Sequence, residues 1–157
     1  NFKAWHAGKS KWKNLNNINN YSIGIELQNK GHQYGYSNFT NKQYSSLSKL
    51  VSFLKKNFYI LDQNIIFHSD ISPNRKKDPG EKFFIDKIGI TRFKKIKKTT
   101  NNLSVKSLLE IYGFNIYYIN NYEASCIKAV KRTLNYKKIT ANITKKFIKD
   151  FYNLLFY

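Results

Sequence analysis

Methionine is absent from this 157-residue sequence, cysteine occurs once and proline twice. The single cysteine, Cys126, excludes an intramolecular disulfide. It lies in the apolar-periodic stretch EASCIKAV, which favours a small buried residue over a nucleophile. No apolar run approaches the roughly 18–20 residues that span a bilayer, and the first residues do not resemble a signal peptide. Because even an initiator methionine is lacking, we expect a processed chain or a fragment without its native N-terminus.

Acidic residues are also scarce, with 9 Asp and Glu against 28 Lys and Arg, for a net charge of +19. Basic surfaces with interleaved aromatic residues are typical of nucleic-acid binding. The lysines are scattered along the chain, however, and the abundance of Lys, Asn, Ile, Tyr and Phe is typical of drift in an AT-rich genome. We therefore expect a general affinity for polyanions, such as nucleic acid, anionic lipid or cell-wall polymer, without specific nucleic-acid recognition.

The first half of the chain predicts an alternation of strands and helices. NYSIGIEL (20–27) alternates as a strand does, with Glu26 beside Gly24 on the polar face. A solvent-facing glutamate on an edge strand is the alternative interpretation. A capping box at Thr40 precedes an amphipathic helix over 41–57. NIIFHSDI (64–71) predicts a second strand, with His68 near its end. We infer an α/β fold with a mixed β-sheet flanked by helices, and ligand binding beyond the strand ends.

The second half predicts a separate helical unit. KKIKKTTNN is polar and charged without periodicity, which indicates a linker over 95–102. Three short amphipathic helices follow at 104–112, 122–134 and 144–156. We therefore predict two domains, 1–94 and 103–157, with the linker between them.

The stretch HSDISPNRKKDPG (68–80) contains one of the three histidines and both prolines. Imidazole and carboxylate both suit Zn²⁺, and the Pro-containing loop allows His68 and Asp78 to converge on one ion. Glu26 is then a candidate general base toward a water molecule, and a lysine of RKKD a candidate for oxyanion stabilisation. From these residues alone, a solvated basic loop remains the alternative.

Four successive blocks carry a family resemblance: AWHAGKSKW, YSIGIELQN, FTNKQYSSL and HSDISPNRKKDPG. In this order and spacing they resemble the type 2 N-acetylmuramoyl-L-alanine amidases, the AmpD/AmiD-like enzymes related to peptidoglycan recognition proteins. The resemblance covers residues 4–80. It implies the fold of that family and zinc-dependent hydrolysis of the amide between N-acetylmuramic acid and L-alanine in peptidoglycan, with one Zn²⁺ per site.

The resemblance also implies roles for individual residues. His68 and Asp78 match two zinc ligands of the family, and Glu26 matches the glutamate that handles the proton of the water. Lys76, two positions before Asp78, matches the lysine that stabilises the oxyanion and is preferred over Lys77. Trp5 and His6 lie in a block that lines the cleft and are candidates for substrate contact. For His6, a packed loop histidine is an equal alternative.

Several departures from the family pattern qualify these expectations. The first zinc histidine of the family lies upstream of WHAG, so the third ligand is expected before residue 1. Phe67 replaces a glycine, and Glu81 and Ile85 replace a proline and an aromatic residue, which would remodel the cleft wall. A decayed amidase copy and a catalytically silent peptidoglycan-binding protein of the same fold therefore stay open as alternatives.

The tail and the charge extend the resemblance to partners and location. The helices after 103 resemble the peptidoglycan-binding domain of AmiD-like envelope amidases, with an unrelated extension as the alternative. We expect peptidoglycan or muropeptides as partners, a monomer, and membrane anchoring only through the missing N-terminus. The resemblance favours the bacterial cell envelope, in the periplasm or at the outer membrane, over the cytoplasm.

Overall fold

The computed structural model describes residues 3–93, 103–115 and 122–156. Within these ranges a two-stranded antiparallel sheet precedes five helices, and short 3-10 turns occur at Ile18–Asn20, Asp62–Asn64 and Ile85–Ile88. The elements are strands β1 (Lys11–Trp12) and β2 (Leu15–Asn16) and helices α1 (Asn41–Phe58), α2 (His68–Ile71), α3 (Val105–Tyr112), α4 (Tyr122–Thr133) and α5 (Lys145–Leu155).

Helix α1 confirms the helix predicted over 41–57. The Thr40 side chain accepts a hydrogen bond from the backbone N–H of Gln43, and the Gln43 side chain accepts one from the N–H of Thr40, at 3.2 and 2.9 Å. This capping box satisfies two N–H groups that the first turn leaves without partners. The predicted apolar stripe is buried at Tyr44, Leu47 and Val51.

The buried face of α1 belongs to a hydrophobic cluster that we call the α1 core. Its centre is Phe83, whose ring lies 5.4 Å from Phe39, 5.5 Å from Tyr44 and 5.6 Å from Phe67. Phe67 directly precedes His68, so this cluster also fixes the start of α2. The α1 core consists of Phe39, Tyr44, Leu47, Val51, Phe67, Phe83, Ile88 and Ile90.

A second cluster, the tail core, joins the helices after residue 103 to the first part of the chain. Trp12 of β1 packs edge-on against Tyr112 and Phe114, with ring centroids 5.7 and 5.9 Å apart. The N–H of Lys13 donates to the carbonyl of Gly113 at 2.9 Å. The buried members before the tail are Ala7, Trp12, Ile18 and Ile71, and those in the tail are Leu108, Leu109, Tyr112, Phe114, Tyr122, Cys126, Ile127, Ala129, Val130, Phe147, Phe151, Leu155 and Phe156.

The three tail helices confirm the helical prediction to within one residue at each end. Ser104 and Thr144 cap α3 and α5 by accepting hydrogen bonds from the N–H groups three residues on. Cys126 is fully buried, as expected, and burial raises the pKa of its thiol. The linker predicted over 95–102 lies outside the described residues, and the division into two domains stays a prediction.

The two predicted strands are wrong as secondary structure. Residues 20–27 form neither helix nor strand beyond the turn at their start, and Ile23 and Ile25 are 50 and 39 % exposed. An alternating pattern describes a strand only when a neighbouring backbone pairs with it, and no such partner exists within the described residues. Over 64–71, residues 65–67 are irregular and His68 begins α2.

A helix that crosses a bilayer must be both long and apolar. None of them, over 3–93, 103–115 and 122–156, is both long enough and apolar enough to cross a membrane.

Candidate active site

His68 and Asp78 meet at the surface, where the chain returns after α2. The imidazole Nδ1 of His68 lies 2.8 Å from Oδ2 of Asp78, whose side chain is 55 % exposed. The backbone is tied at the same place, because the N–H of Ser69 donates to the carbonyl of Asp78 at 3.0 Å. The structure therefore brings together the two residues predicted as metal ligands.

The loop between them is fixed from both sides. The carbonyl of Ser72 accepts hydrogen bonds from the N–H groups of Arg75 and Lys76, at 3.0 and 2.8 Å. The Arg75 guanidinium donates to the carbonyls of Ala7 and Lys9, both at 3.1 Å. The Ala7 carbonyl also lies 3.3 Å from Nε2 of His68. Backbone from the WHAG block is thereby held against His68.

Tyr36 holds the other end of the loop. Its hydroxyl donates to the carbonyl of Pro79 at 2.7 Å and accepts from the N–H of Lys82 at 2.8 Å. Gly80 adopts a φ of +86°, and a methyl group there would fall 2.6 Å from the Tyr36 hydroxyl. Only glycine meets both demands, the left-handed backbone and the close aromatic contact.

Two opposing effects set the pKa of Asp78. Burial of the carboxyl raises the pKa, while the hydrogen bond and charge of His68 and the nearby Lys76 lower it, and the net result is a lowered pKa. The carboxylate is therefore ionised at neutral pH, the state in which it can coordinate a metal ion. The imidazole and the carboxylate that converge here are two of the donor types that zinc sites use.

The described residues supply no larger ligand set. No group of three or more His, Cys, Asp or Glu side chains suited to a metal forms within 3–93, 103–115 and 122–156. The third ligand, which the resemblance implies before residue 1, stays a prediction.

Lys76 and Glu26 differ in their exposure to solvent. Lys76 is half-buried, and its charge acts on Asp78, consistent with its expected place beside the metal ligands. Glu26 is exposed and forms no hydrogen bond or ion pair within the described part of the chain. The catalytic roles predicted for both stay predictions.

His6 is held in place by the segment that carries Glu26. Its Nε2 lies 2.7 Å from the hydroxyl of Ser22, and its backbone N–H donates to the Asn19 side chain at 3.0 Å. The ring lies against Gly24. Trp5, by contrast, is 80 % exposed, with the Lys3 ammonium 5.3 Å from its ring centroid. The substrate contacts predicted for Trp5 and His6 stay predictions.

Two residues that support this site carry no signal in the sequence pattern. Tyr36 lies in a glycine-containing loop that carried no motif of its own. Asp70 is fully buried and accepts from the N–H of Phe67 at 2.8 Å.

Phe67, one of the departures from the family pattern, is buried, and the Arg92 guanidinium lies 4.2 Å from its ring centroid. Glu81, another departure, pairs with His32 at 3.0 Å.

The sequence profile of the N-acetylmuramoyl-L-alanine amidase family matches residues 1–81, just over half of the chain. The chain belongs to this family. The blocks on which the resemblance was recognised all lie within the matched region, so that identification is confirmed.

Two curated amidases illustrate the likeness in sequence. The N-acetylmuramoyl-L-alanine amidase AmiD of Escherichia coli is 39 % identical over 85 residues, which are 51 % of this chain and 31 % of AmiD. The 1,6-anhydro-N-acetylmuramyl-L-alanine amidase AmpD of Haemophilus influenzae is 42 % identical over 84 residues, 53 % of this chain and 44 % of AmpD. The matched regions thus cover less than half of these amidases.

Solved structures of the family extend the likeness to the fold. A complex of E. coli AmiD with the substrate anhydro-N-acetylmuramic acid-L-Ala-D-gamma-Glu-L-Lys superposes with a TM-score of 0.78 at 25 % identity, covering 97 % of this chain and 67 % of AmiD. AmpDh3 of Pseudomonas aeruginosa has the same fold, with a TM-score of 0.76 at 22 % identity, covering 98 % of this chain and 68 % of AmpDh3. The predicted α/β fold of the type 2 amidases is confirmed.

Proposed function

We propose that the protein is a zinc-dependent N-acetylmuramoyl-L-alanine amidase that hydrolyses the amide between N-acetylmuramoyl residues and L-alanine in peptidoglycan. The observation that carries the proposal is the convergence of His68 and Asp78 at 2.8 Å, inside the region that matches the amidase family. His68 and Asp78 would hold one Zn²⁺. When bound, the ion would polarise the scissile carbonyl and make water a stronger nucleophile near neutral pH.

Other residues of the chain transfer the proton, stabilise the developing charge and contact the substrate. Glu26 takes a proton from the attacking water and delivers it to the leaving amine of L-alanine. Lys76 places its positive charge where the carbonyl oxygen becomes negative. The Ala7 carbonyl lies at Nε2 of His68, which orients the imidazole so that Nδ1 faces Asp78. Trp5 and His6 contact the substrate beside the metal site.

The substrates named for the relatives define the candidate ligands. AmiD was solved with an anhydro-muropeptide, and AmpD is named for the 1,6-anhydro sugar. We propose peptidoglycan or muropeptides as ligands of this chain, which acts as a monomer in the bacterial cell envelope. The helices after residue 103 would bind peptidoglycan, and the net charge of +19 suits an anionic cell wall.

Zinc stoichiometry tests the metal site directly. Elemental analysis of the full chain should find zinc that is lost in His68→Ala, because the substitution removes one of the two donors. The Glu26→Ala variant serves as the control and should keep its zinc while losing turnover, since Glu26 acts on the proton and not on the metal. Full activity in Glu26→Ala would remove this residue from the mechanism.

A catalytically silent peptidoglycan-binding protein is the second candidate. It is favoured by one observation, that the described residues supply only two donors for a metal. Release of soluble products from purified peptidoglycan separates the two candidates, because a binder sediments with peptidoglycan but releases nothing.

A further inference from the structure

The buried carboxylate of Asp70 lies two residues after His68 and belongs to no step of the proposed reaction. It is fully buried, and both of its oxygens are engaged. Oδ2 accepts from the N–H of Phe67 at 2.8 Å and forms an ion pair with the buried Arg92 guanidinium. Oδ1 accepts from the hydroxyl of Tyr112 at 2.8 Å. A buried charge with this many partners fixes the backbone it belongs to.

The bond from the N–H of Phe67 to the Asp70 carboxylate fixes the peptide group between Ile66 and Phe67, and the N–H of Asp70 donates to the Phe67 carbonyl, in the peptide group that joins Phe67 to His68, at 3.0 Å. The peptide group on the other side is fixed as well, because the N–H of Ser69 donates to the Asp78 carbonyl at 3.0 Å. The position of the imidazole therefore depends on two anchors. One is the loop that carries Asp78, and the other is the Asp70 carboxylate.

The two side-chain partners of Asp70, Arg92 and Tyr112, come from beyond the region that matches the amidase family, which ends at residue 81. Tyr112 is the last residue of α3, and its hydroxyl also bonds to Thr133 of α4 at 2.9 Å. The Tyr112 ring stacks on Phe114 and packs against Phe93 in a tilted arrangement, with ring centroids 4.9 Å apart in both cases. The direction of the hydroxyl is thus set by the tail core.

The Arg92 guanidinium is equally confined. It lies 4.2 Å from the ring centroid of Phe67 and 5.2 Å from that of Phe93, so it is enclosed by two aromatic rings as well as paired with Asp70. Neither Arg92 nor Tyr112 can follow Asp70 if the turn of α2 shifts.

We propose that Tyr112 is a positioning residue for the candidate metal ligand His68. Its hydroxyl, oriented by Thr133, holds the Asp70 carboxylate, and Asp70 holds the backbone that presents the imidazole. The helical tail is then part of the amidase site and more than an appended binding module. The inference rests on the proposed function, because that function makes His68 a metal ligand. The coupling between Tyr112 and His68 can nevertheless be measured without an assay of amidase activity.

The test compares Tyr112→Phe with Tyr136→Phe in the full chain. Both variants keep the ring and remove one Tyr–Asp hydrogen bond, and Tyr112→Phe also removes the bond to Thr133. Tyr136 donates to Asp150 at 2.6 Å, and both of these residues lie in the tail. Tyr136→Phe therefore reports what the loss of such a bond does to the fold alone.

Two kinds of readout are taken well below the unfolding temperature of each variant: the local structure, from His68 resonances and hydrogen exchange, and the Zn²⁺ affinity. In Tyr112→Phe we expect shifted His68 ring ¹⁵N resonances and faster hydrogen exchange at Ser69–Ser72. We also expect Zn²⁺ affinity to fall about tenfold, the lower end of the range for partners that orient metal ligands. In Tyr136→Phe both readouts should match the unaltered chain.

Thr133→Val provides a second route if Tyr112→Phe folds poorly. It removes only the group that orients the Tyr112 hydroxyl, and it should shift the same His68 resonances by a smaller amount. Unchanged His68 resonances in the folded variants would overturn the inference. If the unaltered chain binds no Zn²⁺, the proposed metal site fails, while the resonances and hydrogen exchange still decide the coupling.

Discussion

Gly24 makes room for the imidazole of His6 at one edge of the candidate site. A methyl group at this position would fall 2.6 Å from Cβ of His6 and 2.7 Å from two of its ring atoms. No positive φ is involved here, so the requirement for glycine comes from space alone. Gly24 lies two residues before Glu26. Together with the Ser22 hydroxyl, it determines where His6 lies.

Gly24→Ala should therefore displace His6. We expect the free energy of unfolding to fall by about 1–3 kcal/mol, the usual cost of overpacking a fitted contact, and the His6 ring resonances to shift. Urea unfolding and NMR of the histidine side chains measure the two effects.

Gly31→Ala is the matched control for this substitution. Gly31 has a φ of +72° with open space around it, so alanine strains the backbone there without touching His6. Its His6 resonances should stay in place. A Gly24→Ala chain with unshifted His6 signals would contradict the packing described.

At the scale of elements, two loops meet beside the Asp78 turn. His32 stacks on Tyr36 with ring centroids 4.3 Å apart and pairs with Glu81 at 3.0 Å. Burial raises the pKa of the Glu81 carboxyl, but the hydrogen bond and charge of His32, with a smaller effect of Arg132, lower it below its usual range. The pair ties the loop of Tyr36 to the residues that follow Gly80.

This lowered pKa predicts a direction for acid destabilisation. A carboxyl with a folded-state pKa below the unfolded value, about 4.3 for Glu, stabilises the fold above that pH. The contribution is lost as the pH falls through the folded-state pKa. Glu81→Gln should therefore lower the free energy of unfolding at pH 7 by about 0.5–1 kcal/mol. Between about pH 5 and pH 3, the free energy of unfolding should then fall less in this variant than in the unaltered chain.

Urea unfolding at a series of pH values measures this effect. His32→Asn should reduce the same acid-dependent loss, because it removes the group that lowers the Glu81 pKa. An acid dependence that is identical in all three chains would show that the pair does not stabilise the fold.

At the scale of the whole molecule, the first part of the chain and the tail share one core. Trp12 packs on Tyr112 and Phe114, and Gly113 lies so close that a methyl group there would fall 2.7 Å from the indole. The side-chain amide of Asn135, just after α4, donates to the carbonyls of Glu81 and Phe83, at 2.8 and 2.9 Å. These contacts cross the boundary that the sequence predicts between two domains.

A chain truncated to residues 1–94 should therefore lose cooperative unfolding. Removal of the tail exposes Trp12 and takes the Tyr112 hydroxyl away from the buried Asp70 carboxylate. An unsatisfied buried acceptor alone costs about 1–3 kcal/mol, a large fraction of the stability of a small domain. Tryptophan fluorescence and urea unfolding, compared with the full chain, measure the loss. A cooperative transition in the truncated chain would support two independent domains.

The sequence by itself determined the family, the four longer helices and the pairing of His68 with Asp78, but not the short helix α2. These depend on local signals, namely the capping box at Thr40, the apolar stripes and a short loop between two ligand types. The strands at 20–27 and 64–71 were predicted wrongly because strand pairing depends on distant backbone. Only the tertiary structure revealed the partners of Asp70, since Arg92 and Tyr112 lie 22 and 42 residues away. No spacing rule connects positions so distant, and only the packing of the tail core brings them together.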